Sequence, residues 1–246
     1  MSATPNALNL IALQTIARRE VHRILRIWAQ TLVPPAITMT LYFLIFGKLI
    51  GSRIGAMGGY DYMDFIVPGL VMMAVIQNAY GNISSSFFGA KFGRHVEELL
   101  VSPMPNWVIL GGYVAGAVLR GVMVGIIVLA IAMLFTPVRM PHPLVTLTTV
   151  LLGAAIFSLA GFINAVYAKK FDDIAIIPTF ILTPLTYLGG VFYSVRVLPD
   201  WAQAVAECVD HVEDRVGLRR GADLGRAVAA QARDRPAQLT RLVGGA

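Results

Sequence analysis

Five long runs that carry almost no charge, separated by short charged patches, constrain this chain more than anything else in it. Residues 29–50, 65–90, 107–135, 143–168 and 174–193 each hold about the twenty apolar residues that a helix needs to cross a hydrocarbon core about 30 Å thick. Inside that core a backbone has no water to bond, and a helix satisfies its N–H and C=O groups within one segment. The composition leaves no other reading: 57% of the residues are hydrophobic and 14% charged, and the mean hydropathy is +0.69, too apolar for an ordinary soluble surface. The expected fold class is all-α, a polytopic transmembrane helix bundle of five spans (29–193) preceded by an amphipathic interfacial helix (1–28), with no room for a large soluble domain.

The charges give the expected orientation. In residues 8–28, Leu10, Ile11, Leu13, Ile16, Val21, Ile24, Leu25 and Trp28 recur at helical intervals between Arg18, Arg19, Glu20, Arg23 and Arg26. A basic helix with an apolar face is expected to lie against anionic lipid, which places the N-terminus in the cytoplasm. The positive charges come after residue 17 and no small-residue cleavage site follows, so the segment does not read as a cleavable signal peptide. Arg18, Arg19, Arg23, Arg26, Lys91, Arg94, Lys169 and Lys170 then fall inside, and Lys48, Arg53, Arg139 and Arg196 outside, in a glycine-rich first loop with Asp61 and Asp64 and in later loops. This agrees with the positive-inside rule and accounts for the net charge of +6 without nucleic acid. Residues 194–246 differ: no run near spanning length, seven arginines from Arg215 to Arg241, and a position outside that opposes the charge rule. They are expected to be a peripheral helical or disordered tail, or the product of a gene that has lost its natural end.

Several kinds of chemistry are missing. The single cysteine, Cys208, rules out an internal disulfide framework and a cysteine metal cluster, and four scattered histidines make no metal pattern. No G-x-x-x-x-G-K-[ST] occurs, so ATP would have to be bound by another subunit, and no cofactor is expected in this chain. No Ser/His/Asp set falls in a plausible common site, and intrinsic catalysis is not expected.

The candidate sites are three. Between the second and third runs, residues 84–113 must lie at a membrane surface. There Val96, Leu99 and Leu100 are expected on one side of a short helix and Arg94, Glu97 and Glu98 on another, with Pro103 and Pro105 ending it. Glu97, Glu98, Leu99, Leu100 and Pro103 are the candidate residues for a grip by a cytosolic partner, although composition alone favours an ordinary interfacial connector. In the second run Asn78, Asn82 and Ser85 share a helical face, with Gln77 and Ser84 beside it. In the fifth, Thr179, Thr183 and Thr186 do the same, with Tyr187 alongside. Polar groups at these depths face protein or water, so both faces point inward, to line a translocation path or to bond helix to helix. Arg120 interrupts the third run and is expected to snorkel to the cytoplasmic face, with an ion pair or a substrate contact as the alternative. Asp172 and Asp173 read as helix caps rather than metal ligands.

The runs FIVPGLVMMAVIQNAYGNISSSFFGAKFGRHVEELLVSPMPNWVILGGYVAGAVLRG and KKFDDIAIIPTFILTPLTYLGGVFYSVRVLP resemble the membrane subunit of type-2 ABC transporters, the transport permease proteins of the exporter branch. IVPGL opening the second span, EELL with Pro103 after it, and PLTYLGGVFYS in the fifth stand in the family's order, over about residues 15–200. The resemblance implies a bacterial inner-membrane permease that dimerises and binds a separate cytosolic ATPase at a coupling helix between the second and third spans. It implies export of a drug, lipid or glycan along a path lined by the second and fifth spans. The family has a sixth span after an Asn-Pro motif, and residues 194–246 contain neither. An ion-coupled secondary transporter or channel is the first alternative, weakened by how few ionisable residues the spans carry. A membrane-embedded transferase, resting on Asp172 and Asp173, is the second.

Overall fold

A computed structural model of the chain describes residues 5–51, 56–57, 60–102, 104–136, 143–188 and 191–192; the tail 194–246, Pro103, Gly189, Gly190 and Tyr193 lie outside the described residues. The chain divides into two compact units, residues 1–138 with 150–197, and residues 139–149 with 198–246. The first unit carries the architecture that follows, apart from residues 143–149 at the start of one helix.

Helix α1, Pro5–Arg26, ends at Ile27, whose backbone (φ −113°, ψ 32°) leaves the helical region before α2, Trp28–Tyr42, begins. The same run continues as a wider, π-helical stretch, Phe43–Ile50, in which the N–H of Gly51 reaches back five residues to the carbonyl of Phe46. A minimal antiparallel pair follows, β1 (Ala56–Met57) and β2 (Tyr60–Asp61), with Ala56 opposite Asp61. Then come α3, Tyr62–Phe92, the short α4, His95–Val101, α5, Asn106–Phe135, and α6, Pro143–Tyr167. Last are α7, Phe171–Ile177, a π-helical turn, Pro178–Leu182, and α8, Thr183–Leu188.

The helical membrane bundle is therefore what the sequence forms. Among the described residues four helices are long and apolar enough to cross a membrane: Trp28–Gly47, Tyr62–Phe92, Asn106–Phe135 and Pro143–Tyr167. The fifth predicted span is helical without a break from Phe171 to Leu188. Two prolines shape it. Pro178 has no N–H to give the carbonyl of Ile174, four residues earlier, and Asn164 of α6 supplies the missing donor at 3.2 Å.

Helix α3 is the hub. Half of its most apolar window is buried, against 17–28% for the other spans, and its mean hydropathy is 1.3 where that of α5 is 2.6. Both numbers have one cause: a helix surrounded by protein can hold Asn and Ser that find partners, whereas a lipid-facing helix cannot. One hydrophobic cluster gathers Ile66, Leu70 and Met73 of α3 with Phe43, Val124 and Val128; a second gathers Ile83, Phe87 and Phe88 of α3 with Ile16, Val108, Tyr113 and Ala165. Close approach of the helices depends on glycine. A Cβ on Gly161 of α6 would stand 2.7 Å from the carbonyl of Tyr80, and at this crossing the Ser84 hydroxyl donates to the Gly161 carbonyl at 3.0 Å.

The N-terminal helix α1 buries one face against protein. It packs along α5 in ascending register. A Cβ on Gly112 would stand 2.5 Å from Cγ2 of Ile16, and one on Gly116 would stand 2.5 Å from Cβ of Glu20. Gly112 and Gly116, four residues apart, form the shelf on which α1 rests. Ile16, Glu20 and Ile24, also four apart, face inward, while Leu8, Leu10, Ile11 and Leu25 stay exposed. Glu20 is thus a buried residue and not part of the solvated face assumed for it, because it shares its stripe with the two isoleucines that the shelf buries.

Candidate functional site

The charged connection between α3 and α5 is built by a sharp reversal. After Phe92 the chain turns through Gly93 and Arg94, and Arg94 adopts the left-handed conformation, φ 60°, ψ 9°. That residue redirects the backbone, and its carbonyl accepts the N–H of Glu97 at 3.2 Å to start α4. Val96 and Leu99, three apart, pack into the second hydrophobic cluster, and Ser102 Oγ donates to the Leu99 carbonyl at 2.7 Å. Glu97 and Glu98 are exposed. Leu100 is exposed too, at 63%, with Val101 at 87%. This corrects the expectation that Leu100 sits on the apolar side with Val96 and Leu99: seven residues make two turns, and only the 96/99 edge packs against the cluster. The outer face of α4 therefore combines two carboxylates with two unpartnered aliphatic side chains.

The same end of the bundle is tied together by polar contacts. Lys91 Nζ, in the last turn of α3, donates to the carbonyls of Val166 at 2.6 Å and Ala168 at 2.9 Å, satisfying the free C-terminal carbonyls of α6. Asp173 Oδ2 accepts the backbone N–H of Lys169 at 2.8 Å and of Lys170 at 3.0 Å. Those two N–H groups hold its carboxyl below the usual carboxylate range. Asp173 is the cap that its position suggests; Asp172 is exposed beside it. Phe171 lies edge-on to Phe88, ring centroids 4.9 Å apart, which fixes the start of α7 against α3. Among the described residues no three His, Cys, Asp or Glu come together as metal ligands.

Further along α3 a polar cluster is enclosed between α1, α3 and α5. Arg23 Nη2 is 2.8 Å from Glu20 Oε2, and Glu20 is 4% exposed. Ser86 Oγ lies 2.8 Å from both carboxylate oxygens of Glu20. Arg23 Nη2 also donates to Asn82 Oδ1 at 2.8 Å, and Arg120 Nη1 approaches the same oxygen at 3.3 Å. Arg120 Nη2 stands 3.5 Å from Asn78 Oδ1, whose Nδ2 donates to the Ala74 carbonyl at 2.9 Å. Arg120 thus turns to two amides of α3 and has no carboxylate among the described residues.

The predicted path residues are not alike. Asn82 is fully buried in that cluster, Asn78 is half-buried beside it, and Ser85 is exposed, donating to the carbonyl of Gly81 at 2.7 Å. Ser84 is buried in the α6 crossing, and Gln77 is half-buried. In the fifth run Thr183 Oγ1 donates to the Pro178 carbonyl at 2.8 Å and Thr186 Oγ1 to Thr183 at 2.8 Å; Thr179 is exposed. The π-helical turn takes Thr179 and Thr183 off the four-residue spacing that would put them on one face. Tyr187 OH pairs with Tyr42 OH at 2.8 Å, joining the fifth run to α2. Sequence periodicity missed Glu20, Arg23 and Ser86. The signal was present, in Glu20 lying four residues from both Ile16 and Ile24 and three from Arg23.

A family model described as "ABC-2 type transporter" matches residues 11–209. The chain is 58% identical over 211 residues to "Inner membrane transport permease YadH" of Escherichia coli (strain K12), covering 86% of this chain and 82% of that protein. It is 28% identical over 169 residues to "Nodulation protein J" of Sinorhizobium fredii (strain NBRC 101917 / NGR234), covering 68% of this chain and 63% of that one. No solved structure matches the chain. With apolar helices of spanning length, a charged helix at one bundle end and a family match over most of its length, the chain belongs to the ABC-2 type transporter family as a multi-pass membrane permease subunit of an ATP-binding cassette transporter.

Proposed function

We propose that this subunit exports its substrate across the bacterial inner membrane by docking a cytosolic ATP-binding subunit on the outer face of α4. The observation that carries the reading is the two-sided construction of α4: Val96 and Leu99 anchored in a cluster shared by α3, α5 and α6, and Glu97, Glu98, Leu100 and Val101 left facing out. A helix seated that way is a lever. Force applied to its outer face by closure of the ATP-binding subunits passes through the second cluster to α3 and α5 together. The carboxylates fix register with a basic cleft and the aliphatic pair supplies buried area, the division of labour expected at an interface core and rim. In this reading Glu97, Glu98, Leu99, Leu100 and Pro103 form the coupling element, ATP belongs to the partner, and the N-terminus and α4 lie in the cytoplasm. Neither catalysis nor a metal is assigned to the chain.

Two copies of the subunit enclose the path. Its wall includes Asn78 and Ser85 of α3 and Thr179, Thr183 and Tyr187 of the fifth run, with Asn82, the other predicted path residue, standing behind Asn78 in the enclosed cluster. Gly81 supports this, since a Cβ there would meet no atom within 4 Å, so the face between Asn78 and Ser85 is open in a single copy. Drug, lipid and glycan cargoes all suit such a surface. The docking assignment is tested by cross-linking in a chain with Cys208→Ser. Glu98→Cys and Val101→Cys should each join to the ATP-binding subunit through a short bifunctional reagent, while Phe180→Cys, exposed on the fifth run, should not. Equal yields from all three positions would overturn it.

A further inference from the structure

Arg23 and Arg120 converge on a single neutral acceptor, Asn82 Oδ1, at 2.8 and 3.3 Å. Among the described residues the carboxylate in this cluster is Glu20, and it is held by Arg23 and Ser86. The cluster therefore carries a surplus positive charge within a span. Two donors at its centre, Asn82 Nδ2 and Arg120 Nε, are buried and have no hydrogen-bond partner. A buried donor without a partner and a guanidinium without a counter-charge are both costly states that an anion relieves at once. Access exists: the Arg23 side chain is 32% exposed, and the α3 surface beside Asn78 and Gly81 is open.

We propose that Arg120 and Arg23, with Asn78 and Asn82, form a binding site for the phosphate of an anionic molecule. Two guanidinium forks approaching from different helices match the several oxygens of a phosphate, where a compact halide would satisfy one N–H at a time. Asn82 lies ten residues before the end of α3, about 15 Å along the helix from it. The site stands on these side chains and is independent of where the ATP-binding subunit docks. The phosphate has two possible sources, an anionic phospholipid or a soluble phosphate compound, and both would bring the same oxygens.

The test uses the full chain in dodecyl maltoside, delipidated, with its thermal midpoint followed as phosphatidylglycerol or inorganic phosphate is added. The native chain should shift upward with one of them. A shift with phosphatidylglycerol alone identifies a lipid, and a shift with inorganic phosphate identifies a soluble ligand. Arg120→Gln should weaken the concentration dependence roughly tenfold or more, and Arg120→Lys less, because charge survives and the fork does not. Should Arg120→Gln fail to fold, Asn82→Asp decides. It places a carboxylate between the two guanidiniums, so it should raise the midpoint without ligand and abolish the response to added anion. No shift in the native chain with either compound overturns the proposal, as does a full response in Asn82→Asp or an unchanged one in a folded Arg120→Gln.

Discussion

Glu20→Gln keeps the shape of the side chain and removes its charge from the most enclosed ion pair among the described residues. Glu20 accepts from Arg23 Nη2 at 2.8 Å, from Arg23 Nε at 3.3 Å and from Ser86 at 2.8 Å, and is 4% exposed. Two unit charges about 4 Å apart attract by about 4 kcal/mol at an effective dielectric constant near 20. The Arg23 side chain is 32% exposed, so water recovers part of this, and the expected loss is about 2 kcal/mol. Glu20→Ala also deprives Ser86 of its acceptor and leaves Arg23 without a partner carboxylate, which moves the loss toward the roughly 3–5 kcal/mol measured when a buried pair is broken. Unfolding of the purified chain by sodium dodecyl sulfate in mixed micelles gives these differences. A cycle with Arg23→Gln should return a coupling of about 1–2 kcal/mol between the two residues. If Glu20→Gln unfolds within about 0.5 kcal/mol of the native chain, the packing of α1 against α3 and α5 described above is wrong.

Three further outcomes are expected. Gly116→Leu forces a side chain into the space of Glu20 Cβ, 2.5 Å from the new Cβ, and should free α1 enough to expose it to proteolysis while Gly81→Leu, which meets nothing within 4 Å, leaves it protected. Arg94→Gly relieves the left-handed backbone of Arg94 and should stabilise the chain by about 1 kcal/mol in the same unfolding assay; a loss would show that the Arg94 side chain has a bond of its own. The lowered pKa of Asp173 means that its cap contributes above the ordinary carboxylate pKa of about 3.9 and is lost as pH falls through the lower folded value. The stability difference between the native chain and Asp173→Ala should therefore hold from pH 7 to about pH 5 and shrink below about pH 4. A difference that grows on acidification contradicts this sign.

The four helices of spanning length were legible in the sequence because apolar length is a direct consequence of bilayer thickness, and Asp173 was legible because capping is local. What stayed hidden depended on which face of a helix meets which neighbour. Glu20 looks solvated beside Arg18, Arg19 and Arg23, and only the glycine shelf of α5 shows that its stripe turns inward. Leu100 looks buried beside Leu99, and the short anchor of α4 leaves it out. Thr179 and Thr183 look aligned until Pro178 and Pro184, which lack N–H groups, widen the turn between them. Arg120 was expected to reach for the membrane surface; it turns to Asn78 and Asn82, polar residues on the hub helix, because α3 is enclosed by protein.

We propose above all that the outer face of α4 receives the ATP-binding subunit. The most direct measurement is co-purification of that subunit with the native chain and with a Glu97→Lys, Glu98→Lys variant in the same detergent, with Val96 and Leu99 unchanged so that α4 stays seated. Stoichiometric retention by the native chain, lost on charge reversal, is the expected result. Retention that survives the reversal undiminished would put the docking surface elsewhere and leave α4 an ordinary connector.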